Sequence, residues 1–76
     1  MKLISAKTPQ GFVVRRIFAS GEDAYRKNFD GSWDHCSGHK GPWVGTNAIY
    51  VPREVLAEMS NLLDAHAMRQ ALLGNG

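Results

Sequence analysis

Between Val51 and Gly74 the chain carries one long helical period that the remaining residues must cover. At 100° per residue, Val55, Leu56, Met59, Leu62, Leu63, His66 and Leu73 fall on one face. Arg53, Glu54, Asn61 and Asp64 lie opposite. Pro52 suits a first helical position, where a missing N–H leaves nothing unpaired. Glu54 and Glu58 sit near the positive end of the helix dipole, and Gly74 is a natural stop. The pattern predicts a helix over residues 52–73 whose apolar stripe needs a sheet beneath it.

The first fifty residues supply that sheet. Strands are expected over 2–7, 12–19, 24–30 and 32–36, with a possible short edge strand at 48–51. Phe12 to Ala19 is rich in β-formers on both faces, as a central strand is. Thr8-Pro9-Gln10-Gly11 and Ser20-Gly21-Glu22-Asp23 read as turns. Asp30-Gly31 is the strongest hairpin signal in the chain. Gly38, Gly41, Pro42 and Gly45 break all periodicity, which leaves Trp43 in a loop. No repeat or internal boundary divides residues 1–76. The expected architecture is a single α+β domain, an antiparallel meander of three to four strands with one C-terminal helix across a face.

At 76 residues the chain has room for one small core. Its single cysteine, Cys36, permits no internal disulfide, and no stretch approaches a membrane span or a signal peptide. A cytoplasmic protein is the consistent expectation. Nine Lys+Arg against seven Asp+Glu give a net charge of +2, too balanced to indicate a dedicated nucleic-acid binder.

Candidate chemistry is sparse. Asp34-His35-Cys36 and His39 lack the paired spacing of a zinc site, and on a strand His35 and Cys36 point to opposite faces. No metal or cofactor is expected. Cys36 has no signalled base or oxyanion site, so no catalytic residue is assigned and the chain reads as a non-enzyme. His66, mid-stripe, reads as a core histidine.

What remains are contact groups. Arg15, Arg16, Arg26 and Lys27 occupy neighbouring expected strands near Tyr25, Phe29 and Trp33, and Lys40 lies in the glycine-rich stretch. Such a mixture serves a protein partner or, as the second reading, a nucleic-acid strand. Trp33 reads as core. Trp43 reads equally as core and as a presented hot-spot residue. Met68 and Leu72, with Ala65, make the last helical turns apolar nearly all round. Either that end frays, or a second copy or a partner covers it.

Ile49-Tyr50-Val51-Pro52-Arg53-Glu54-Val55-Leu56 runs a strand through proline into a helix. With this element and its size, the chain reads as a complete small open reading frame and resembles the phage-encoded inhibitors of the type I anti-CRISPR kind. That resemblance implies a non-enzymatic protein that sterically inhibits a host protein or ribonucleoprotein complex, such as a type I surveillance complex. Inhibitors that mimic DNA are strongly acidic, and this chain is not.

Overall fold

The computed structural model describes residues 1–74. Five strands, β1 (Lys2–Lys7), β2 (Gly11–Phe18), β3 (Gly21–Asn28), β4 (Trp33–Ser37) and β5 (Trp43–Thr46), form an antiparallel sheet in sequential order. A short 3₁₀ turn at Ala48–Tyr50 leads into helix α1 (Arg53–Gly74). The architecture is α+β as expected, with one strand more than the three to four anticipated.

Two differences from the sequence reading have physical causes. The last strand is Trp43–Thr46, paired Trp33↔Thr46 to Cys36↔Trp43 with β4, while residues 48–51 form the 3₁₀ turn instead of an edge strand. Trp43 therefore sits in a strand, not a loop. Glycines and proline masked β5 because a short edge strand needs only a register on one neighbour. Strand β3 also begins at Gly21, not Ala24, so Glu22 and Asp23 are strand residues paired with Ile17 and Arg16. Acids are poor strand formers, but here each meets an arginine on β2.

Alternation divides the sheet into two faces. Phe12, Val14, Tyr25 and Trp33 face α1 and close a core with Val51, Val55 and Met59, against which Leu3, Leu62 and Leu63 pack. Trp33 is core, as expected. Glu54 meets Arg16 near one end of β2 and His66 meets Phe12 near the other, so α1 runs antiparallel to β2. Pro52 stands just before the helix, its carbonyl accepting from Leu56 N–H at 3.0 Å.

A 22-residue helix is about 33 Å long, more than its sheet can cover. Its last turns project past the β1–β2 turn. Only Val55 and Met59 of the helix are fully buried, and Leu73, expected on the covered stripe, is 67% exposed. Among the described residues no helix is long and apolar enough to cross a membrane.

Candidate interaction surface

The face of the sheet away from α1 has no second layer among the described residues. From its register it carries Ile4, Val13, Arg15, Ile17, Ala24, Arg26, Cys36 and Trp43. Ile4 is exposed and Val13 and Ile17 are half-buried, an apolar strip at the β1–β2 edge. Trp43 stands at the other edge, and the Arg26 guanidinium lies 4.4 Å from its ring centroid. Arg26 Nη2 also donates to Asp34 Oδ2 at 2.8 Å, directly across the β3–β4 register.

The glycine-rich stretch folds back over part of this face. Arg15 Nη1 donates to the Gly38 carbonyl at 3.0 Å and to Glu22 Oε2 at 3.1 Å. The Cys36 thiol donates to the Gly41 carbonyl at 3.1 Å. Ala24 and Cys36 are thereby sealed, while Lys40 and His39 stay exposed on the loop. Gly38 adopts φ +88°, which favours glycine, and a Cβ on Gly41 would meet the Ser37 carbonyl oxygen at 2.3 Å. The breaks in periodicity are thus demands of a tight return.

The basic residues read together from the sequence are divided by the sheet. Arg15 and Arg26 lie on the open face, whereas Arg16 and Lys27 face the helix side. Arg16 is the centre of a cluster there. Its Nε donates to Asp23 Oδ1 at 2.8 Å, Nη2 to Asp23 Oδ2, and Nη1 to Glu54 Oε1 at 2.8 Å. The hydrogen bonds from Arg16 hold the Asp23 carboxyl below the usual carboxylate range, and those contacts raise the guanidinium's own pKa. Tyr25 stacks on His35 at 4.5 Å, and burial pushes the Tyr25 hydroxyl pKa up. Lys27 Nζ sits 5.5 Å from the Trp33 ring centroid. Met68 and Leu72 project at 67% and 75% exposure on the overhanging helix.

His35 and Cys36 do lie on opposite faces of β4. Among the described residues no three His, Cys, Asp or Glu side chains converge as a metal site would require. His66 is half-buried against the Phe12 ring, not fully enclosed. What sequence reasoning missed are Glu22, Asp23 and Asp34, the acids that pair the sheet arginines. The signal was present as acids and bases on adjacent strands, but it needs the register to be read.

These carboxylates set an acid limit to stability. Asp23 is depressed by Arg16, and Asp34 by hydrogen bonds first from Asn28 and then from Arg26, both below the ordinary value of 3.8. A folded-state pKa below the unfolded one contributes stability above the unfolded value and loses it as pH falls through the folded value. The thermal midpoint is expected to fall as the pH drops through and below the ordinary carboxylate value of 3.8, and Asp23→Asn to flatten that fall. An equally steep acid limb in Asp23→Asn would rule out the Arg16 pair as its source.

No protein-family model, no curated protein and no solved structure matches the chain.

Proposed function

We propose that the chain is a non-enzymatic, cytoplasmic binding protein that uses the open face of its sheet to occupy and block a surface on a larger protein or ribonucleoprotein complex. The observation that carries this reading is the uncovered face itself, on which Ile4, Val13 and Ile17 lie beside Arg26 stacked on Trp43. Aromatic and arginine anchors bordered by apolar groups are the composition of protein-binding hot spots. The resemblance to phage-encoded inhibitors makes a type I surveillance complex the first target to try.

A nucleic-acid module using the same face is the second reading. Arg26 over Trp43 favours it, since bases stack on such groups. Pairing of Arg15, Arg16 and Arg26 with carboxylates weighs against it, because those charges are already answered within the chain. Phosphate binding would also show a steep loss of affinity with salt. Lys27 and Lys40 then serve encounter, not the central contact. Self-association through Met68 and Leu72 would leave the open face free; sedimentation of Met68→Asp against the parent reads it, and identical monomers would exclude it.

Val13→Asp and Trp43→Ala are expected to abolish target binding, since the first puts a charge into the apolar strip and the second removes the ring beneath Arg26. Arg26→Ala is expected to weaken it about tenfold. Circular dichroism of each variant checks that the fold survives. Binding retained by both folded Val13→Asp and folded Trp43→Ala would refute the assignment.

A further inference from the structure

The projecting end of α1 forms a second, independent feature. Between it and the β1–β2 turn lies a cleft of about 320 Å³, floored by Phe12, Leu62 and Leu73 with His66 at its side. Lys7 and Arg69 stand among its lining residues, and no acid does. Neither cation is in an ion pair with a described residue, unlike Arg15, Arg16 and Arg26 on the sheet. Phe12 meets His66 edge-on at 5.2 Å, giving the cleft an aromatic wall. Its size is at the lower end of the about 300–1,000 Å³ typical of ligand sites, enough for one or two large side chains.

We propose that this cleft binds a short acidic peptide segment, one large apolar side chain seated between Phe12 and Leu73 and flanking carboxylates meeting Lys7 and Arg69. Charge complementarity selects this occupant. An apolar floor alone would accept any greasy group, but cations of one sign at its margin favour a segment bearing the opposite charge. A second copy docked by a two-fold axis through the cleft would face each Lys7 and Arg69 with the same cations, with no acid in the lining to offset them. The site does not involve the open sheet face and stands whether or not that face binds a target.

The test is to pan the purified chain against a random short-peptide library and titrate the enriched peptide by fluorescence anisotropy. Enriched sequences are expected to pair a large apolar residue with Asp or Glu. Affinity is expected to fall about tenfold or more in Lys7→Glu/Arg69→Glu, and to be unchanged in Trp43→Ala. Both cations are exposed, so their reversal leaves the thermal midpoint in place. Absence of enrichment, selection of neutral or basic peptides, or equal binding by the charge-reversed variant would overturn the proposal. So would sedimentation showing a dimer that Leu73→Asp dissociates, which would assign the cleft to a second copy.

Discussion

Replacing Gly11 by alanine is expected to cost about 3 kcal/mol or to prevent folding at ambient temperature. Gly11 opens β2 opposite Asn28, where a Cβ would lie 2.1 Å from the Lys27 carbonyl oxygen and 2.7 Å from the Asn28 Cα. Both are backbone atoms of the paired strand, so no side chain can swing aside. Relief requires β3 to move, and β3 is the middle strand of the sheet. The same shift would loosen the turn at this end, where Gly11 N–H donates to the Thr8 carbonyl at 3.3 Å and Phe29 N–H to the Gln10 carbonyl at 3.0 Å. Gly45→Ala is the matched control. A Cβ there meets nothing within 4 Å, and alanine is expected to be neutral within about 0.5 kcal/mol. Thermal denaturation of the two variants side by side checks the contrast, and similar midpoints would contradict the Gly11 packing.

The second large effect is expected at Arg16. This one guanidinium joins β3, through Asp23, to the first turn of α1, through Glu54, and also lies 5.0 Å from the Phe18 ring centroid. Arg16→Ala leaves the Asp23 carboxylate, only 18% exposed, without its main partner. Breaking one side of such a pair costs about 2–3 kcal/mol at this degree of burial. In a chain of this size that lowers the midpoint by about 10 °C or more. Arg16→Lys is expected to recover part of the loss, because a single ammonium cannot reproduce the two-pronged contact with Asp23 together with the bond to Glu54. The double variant Arg16→Ala/Asp23→Asn is expected to be more stable than the sum of its single changes. Strict additivity would show that the two residues are not coupled.

How far the sequence discloses this molecule depends on which interactions encode each part. Helix α1 was legible because Val55, Met59, Leu62 and His66 repeat at the helical period and Pro52 marks the start. Strands β1 and β2 were legible from composition and the Thr8–Gly11 turn. β5 was not, because Gly41, Pro42 and Gly45 resemble loop punctuation while its pairing partner lies on β4. The start of β3 was hidden because Glu22 and Asp23 disfavour strands until Arg15 and Arg16 stand beside them. Apolar residues on both faces of β2 likewise concealed which of Arg15 and Arg16 faces the helix. Trp43, Arg15 and Arg26 could be singled out as candidate contact groups from residue type alone. Their placement on one uncovered face, and the neutralisation of the arginines, came only with the register. The cleft beside Lys7 and Arg69 was likewise out of reach, since it joins the first strand to the last helical turns.

The most direct test of the central claim is an affinity pull-down from bacterial lysate, with and without nuclease, read by quantitative mass spectrometry. The parent chain and Lys7→Glu/Arg69→Glu would be compared with Val13→Asp and Trp43→Ala. A stoichiometric protein partner that survives nuclease, persists in the cleft variant and disappears in both sheet-face variants is the predicted result. Recovery of nucleic acid alone, or a partner retained by both folded sheet-face variants, would contradict the open face as a protein-binding surface.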